Sequence, residues 1–91
     1  MRVPRLSVGF VRSKRRLGLL SGSTSLQGVL ATIRAISDSD VLPGPSDFET
    51  EFAPGKAHVR RVAGKNFWVL YRYSDTHVDV LAVRSDPPVP I

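Results

Sequence analysis

Near the start of the chain, in the segment RLSVGFV, Leu6, Val8 and Phe10 alternate with Arg5, Ser7 and Gly9. Successive side chains of a strand point to opposite faces, so this period of two predicts a strand over 5–11. A helical region is predicted over 12–37. Its first part, RSKRRLGLL, carries Leu17, Leu19 and Leu20 and reads as a short helix weakened by Gly18, before SGS breaks it. In STSLQGVLATIRAIS, Leu26, Val29, Leu30, Ile33 and Ile36 recur at three- and four-residue steps and so fall on one face of a second helix. Ser23 or Thr24 can cap its free N–H groups.

The pattern then breaks. Residues 38–56 read as a loop punctuated by Pro43, Gly44, Pro45, Pro54 and Gly55. They hold Asp38, Asp40, Asp47, Glu49 and Glu51, five of the eight acidic residues. A solvated acidic loop is the expectation, and the alternative is that this segment covers part of a basic surface. Over 57–85 three strands follow closely: AHVRRVA, a GKN turn, FWVLYRY, an SDT turn, and HVDVLAVRS. The tail 86–91, DPPVPI, ends the sheet, because proline has no N–H for a ladder. The prediction is one α+β domain over 1–91. An N-terminal strand and one or two helices precede a three-stranded antiparallel meander, with the helices on one face of the sheet.

Alternation also sorts the side chains of FWVLYRY. Phe67, Val69, Tyr71 and Tyr73 share one face, the better candidate for the helices to cover. Trp68, Leu70 and Arg72 share the other. Of the adjacent Arg60 and Arg61, only one can join Trp68 there, with Lys65 at the turn and Arg84 at the end of the last strand. Arg60, Arg61, Lys65, Trp68, Arg72 and Arg84 are therefore candidate nucleic-acid-binding residues. Guanidinium forks suit phosphate, and an aromatic ring can stack on a base.

Charge supports that direction. With 13 Lys and Arg against 8 Asp and Glu, the 91-residue chain carries a formal +5, a balance that favours an anionic partner. There is no cysteine, so there is no disulfide framework, and a reducing compartment fits. His58 and His77 are the only histidines and lack metal-ligand spacing, so no metal site is expected. No nucleophile elbow, P-loop or dinucleotide fingerprint occurs, and no cofactor is expected. No apolar run reaches the roughly 20 residues of a membrane span. The arginine-rich N-terminus superficially resembles a transit peptide. Its strand alternation, and the core that its removal would cost, favour a cytoplasmic protein with no membrane role instead.

The stretch HVRRVAGKNFWVLYRYSDTHVDVLAV consists of a basic strand, a turn, an aromatic strand ending in VLYR, a short acidic turn and a valine-rich strand. In this it resembles the RelE/ParE superfamily, the toxins of bacterial type II toxin–antitoxin pairs. The upstream order of strand, helical stretch, GST break and helix follows the same plan. The resemblance implies a compact α+β toxin that inhibits growth and is neutralised by a cognate antitoxin encoded beside it. Its target would be translation, through ribosome-dependent mRNA cleavage by an mRNA interferase, or DNA gyrase. By the same resemblance Arg61, Lys65, Tyr73 and Arg84 are candidate catalytic residues for an endoribonuclease. Trp68 stands where the cleaving branch commonly has an arginine, and no tyrosine or histidine follows the last strand. That leaves the acid–base set incomplete, since a guanidinium with a pKa above about 12 does not exchange protons near neutrality. The alternative is a non-catalytic basic module of the same fold that binds nucleic acid or an acidic partner.

Overall fold

The structure, a computed structural model, describes residues 1–91. It holds β1 (Val3–Leu6), α1 (Val8–Arg16), α2 (Thr24–Asp38), β2 (Phe48–Glu51), β3 (Lys56–Arg61), β4 (Trp68–Tyr73) and β5 (His77–Arg84). The strands form one five-stranded sheet in the order β1-β5-β4-β3-β2. β1 runs parallel to β5, with Val3 opposite His77 and Leu6 opposite Val80, and every other pair is antiparallel. The α+β class expected from the sequence is what folds. The meander, however, has four strands rather than three, and the N-terminal strand makes the sheet mixed.

The predicted strand over 5–11 is corrected. β1 stops at Leu6 because Ser7 caps a helix: its Oγ accepts from the Phe10 N–H at 3.1 Å. The cap places Phe10, Ser13 and Leu17 at helical spacing toward the sheet. Burying a phenylalanine side chain such as Phe10 contributes about 1.5–3 kcal/mol, more than two or three further exposed strand residues could. Val8 and Val11, expected to be strand positions, are exposed on the helix.

α1 also closes the sheet edge where β1 ends. Ser7 Oγ donates to the Leu81 carbonyl at 3.1 Å, and Ser13 Oγ accepts from the Val83 N–H at 3.0 Å. Two serines thus satisfy edge groups of β5 that would otherwise lie unpaired. The fit is tight: a Cβ on Gly9 would lie 2.7 Å from the Leu81 carbonyl oxygen. That carbonyl turns outward because Leu81 is an extra residue in β5. Leu70 pairs with Ala82 and Tyr71 with Val80, which is a β-bulge.

α2 follows the sequence reading, with Ser23 as its cap and Leu26, Val29, Ile33 and Ile36 buried. Leu30, expected on the same face, is 45% exposed. These residues pack on Val69, Tyr71, Val78, Val80 and Val83, with Phe67 and Tyr73 at the margin, so the helices cover the face of β4 assigned to them.

The predicted loop over 38–56 is corrected twice. Phe48–Glu51 forms β2, a short edge strand paired with β3, in which Phe48 and Thr50 alternate with Glu49 and Glu51. Asp47 is not solvated: its side chain is fully buried. The tail also departs from expectation. Beyond Arg84 the chain crosses back over the sheet to its far edge, where Pro90 bridges to Thr50 and the Ile91 N–H donates to the Glu49 carbonyl. Thr50 Oγ1 donates to the Val89 carbonyl at 2.8 Å, and Pro88 is buried. The second face is therefore partly roofed. Beneath lies a smaller core of Ala57, Val59 and Leu70, edged by Phe48, Phe52, Trp68, Leu81 and Ala82.

Candidate nucleic-acid interface

Register decides which arginines meet. Arg61 on β3 lies opposite Trp68 on β4, and Trp68 lies opposite Arg84 on β5. Opposed residues of an antiparallel pair point to the same face, so the three form one row at one end of the sheet, on the side away from α2. The Arg61 guanidinium lies 5.6 Å from the Trp68 ring centre, a cation–π contact that holds it over the indole. Its Nε donates to the Lys65 carbonyl and its Nη2 to Asn66 Oδ1, each at 3.0 Å, which fixes the exposed side chain at the hairpin turn without neutralising it. Arg84 pairs with Asp86 at 2.9 Å, with both side chains largely exposed, so the pair holds Arg84 only weakly.

The structure removes three of the candidate binding residues from this row. Arg60 takes the opposite face. Its Nε and Nη2 donate to the two carboxylate oxygens of Asp47 at 2.8 and 2.9 Å. Asp47 also accepts from the Gly44 N–H at 2.9 Å and from the Tyr71 hydroxyl. Burial works against its ionised form, yet the bonds from Arg60, Tyr71 and Gly44 outweigh it and hold its pKa below the usual carboxylate value. Tyr71 is pushed well above the ordinary phenol value by burial and by the adjacent Asp47 charge. The acidic segment thus does cover part of the basic surface, through one residue. This network ties the loop before β2 to the sheet.

Arg72 is likewise committed. It donates to the carbonyls of Lys56, Phe52 and Pro54 at 2.8, 2.7 and 3.2 Å and lies over the Phe52 ring, so it braces the β2–β3 turn. Lys65 leans the other way, its stem against Gly28 of α2: a Cβ there would sit 3.5 Å from Lys65 Cε.

Of the four candidate catalytic residues, Arg61 and Arg84 come together and Lys65 and Tyr73 do not. Tyr73 is on the helix-covered face, donating its hydroxyl to the Leu42 carbonyl at 2.9 Å. His58 packs between Tyr71 and Tyr73, with ring centres 5.5 and 5.3 Å away, and its Nδ1 is buried without a partner. It too belongs to the covered face. The row therefore offers two guanidinium groups and an indole. This chemistry binds phosphate and aromatic rings and has no group that titrates near neutrality.

Two further basic residues adjoin the row that the sequence reading did not select. Arg12 and Arg16 of α1 line a cleft of about 580 Å³ between α1, β5 and the start of the tail, together with Arg84, Asp86, Phe52 and Leu81. Both fall within the helical stretch RSKRRLGLL that the sequence predicts, and their spacing of four residues is the signal that they share a helix face. A larger, more apolar groove of about 870 Å³ lies elsewhere, between β1 and α2, lined by Pro4, Leu6, Leu30 and Ile33 among others. No helix is long and apolar enough to cross a membrane.

A comparison with protein-family models finds no match, and comparisons with curated proteins and with solved structures find none either.

Proposed function

We propose that this chain is the toxin of a type II toxin–antitoxin pair, related to the RelE/ParE superfamily. It would be neutralised by a cognate antitoxin and would act on translation or on DNA gyrase through the Arg61–Trp68–Arg84 end of its sheet. The observation that carries the reading is that row, in which two exposed guanidinium groups flank an indole on three adjacent strands. The element order of a strand, two helices and a closing run of antiparallel strands supports it, being the order the resemblance implies. The apolar groove between β1 and α2, with Leu6 and Leu30 exposed along it, is surface of the kind that a bound partner covers.

A second reading, a non-catalytic nucleic-acid-binding module, is favoured by the position of Tyr73. The one phenol that could serve as an acid or base is bonded to Leu42 beneath the loop. Under this reading the row binds and does not cleave.

Controlled expression in a bacterium, with and without the adjacent open reading frame, tests the proposal. Growth arrest relieved by the neighbouring gene product is the expected result. Mapping of RNA ends and of DNA supercoiling in arrested cells then separates translation from gyrase. Cells that grow normally while the protein accumulates folded would remove the toxin reading and leave the binding module.

A further inference from the structure

We infer that the cleft between α1 and β5 is a phosphodiester-binding subsite that takes one nucleotide of a single-stranded nucleic acid, with Asp86 occupying it as a built-in competitor. The inference deepens the reading of the Arg61–Trp68–Arg84 row as a nucleic-acid surface and rests on it. Arg84 belongs to both places: it is the cross-strand neighbour of Trp68, and it lines the cleft. A strand laid along the row therefore meets Arg12 and Arg16 next.

Three features fix the ligand class. The first is charge. Arg12, Arg16 and Arg84 line the cleft against one carboxylate, Asp86. Arg12 and Arg16 are exposed and make no ion pair; the chain's three pairs are Arg5–Asp79, Arg60–Asp47 and Arg84–Asp86. Two like charges four residues apart on a helix repel one another, and an anion between them relieves that repulsion. The second is shape. About 580 Å³ falls in the range of small-ligand pockets and accommodates one nucleotide. The third is the lining. Phe52 and Leu81 give the cleft an apolar wall beside its arginines, which suits a sugar and base attached to the phosphate and suits a bare inorganic anion less well.

Asp86 supplies the competitor. Two residues after Arg84, it places a carboxylate oxygen 2.9 Å from the guanidinium, where a phosphate oxygen would sit. Its side chain is 69% exposed. An exposed pair of this kind is weak, so a phosphate can displace it, at the cost of part of the binding free energy.

The test uses purified full-length protein and a labelled single-stranded RNA of about ten nucleotides, with fluorescence anisotropy read across a series of salt concentrations. Arg12→Ala with Arg16→Ala should weaken binding at least fivefold and flatten the slope of log affinity on log salt by about 1.4, two contacts at about 0.7 each. Asp86→Asn should tighten binding two- to fivefold. Both variants should melt with the wild type, since the side chains concerned are exposed. Duplex DNA of equal length and free nucleoside monophosphate should compete at least tenfold less well than unlabelled single-stranded RNA. Unchanged affinity and slope in the double variant, or no gain in Asp86→Asn, would overturn the subsite. Equal competition by the monophosphate would replace the strand with a free nucleotide, and equal competition by duplex would exclude the single-strand assignment. Wild-type protein that binds no RNA overturns the inference outright. The growth assay is read separately: binding without arrest keeps the cleft and removes the toxin, and arrest without binding does the reverse.

Discussion

The Ser13 hydroxyl accepts the amide hydrogen of Val83, seventy residues away, at 3.0 Å in the buried seam between α1 and β5. The same hydroxyl contacts the Gly9 and Phe10 carbonyls at 2.9 and 3.0 Å, so it satisfies its own helix and the strand together. Ser13→Ala leaves the Val83 amide buried without a partner. The expected cost is about 1–3 kcal/mol, which for a domain of this size lowers the melting temperature by roughly 4–8 °C per kcal/mol. Thermal unfolding followed by circular dichroism measures it.

Gly9 tests the same seam by its absence of a side chain. A Cβ there would lie 2.7 Å from a backbone oxygen that cannot swing away. Elsewhere in a helix, glycine to alanine stabilises by up to about 1 kcal/mol. Here Gly9→Ala should destabilise, because α1 must move off β5. A urea midpoint at or above that of the wild type would show that the close approach is not maintained in solution.

Asp47 should set the acid limit of stability. Its folded pKa is depressed, so its contribution is fully present above the unfolded carboxyl value of about 3.9 and is lost as pH falls through the lower folded value. Asp47→Ala strands the Arg60 charge and the Tyr71 hydroxyl, at a cost of about 3 kcal/mol at pH 7. Urea midpoints between pH 2 and 7 should fall less steeply below pH 4 in the variant than in the wild type.

Tyr73 and the basic row should separate in the growth assay. Tyr73→Phe removes a bond to Leu42 worth about 1 kcal/mol and should leave arrest intact. Arg61→Ala combined with Arg84→Ala should abolish arrest at equal protein levels, checked by immunoblot. Arrest lost in Tyr73→Phe at wild-type stability would restore Tyr73 to the site.

What the sequence disclosed follows from the range of its signals. The faces of β4 were legible because alternation is a local rule, and α2 because its apolar stripe and Ser23 cap lie within fifteen residues. The start of α1 was misread because VGF satisfies a period of two over three residues and a helix equally well; only the Ser7 cap decides. β2 was hidden by its acidic alternate positions and its flanking prolines. In the site, parity showed that Arg60 and Arg61 part company but not which one stays with Trp68. The partner that claims Arg60 is Asp47, thirteen residues upstream in an irregular segment, where no periodicity operates.

The pairing of Val3 with His77 has a consequence for how the protein comes into being. Strands that are far apart in sequence bear a large loop-closure cost before their contacts repay it, which slows folding. On the ribosome the effect is sharper. The first strand synthesised waits for the last, and α1 has no Leu81 or Val83 to seal against until β5 has cleared the exit tunnel. The nascent chain is thus unable to complete its sheet, or the basic row that three strands build, before β5 has emerged.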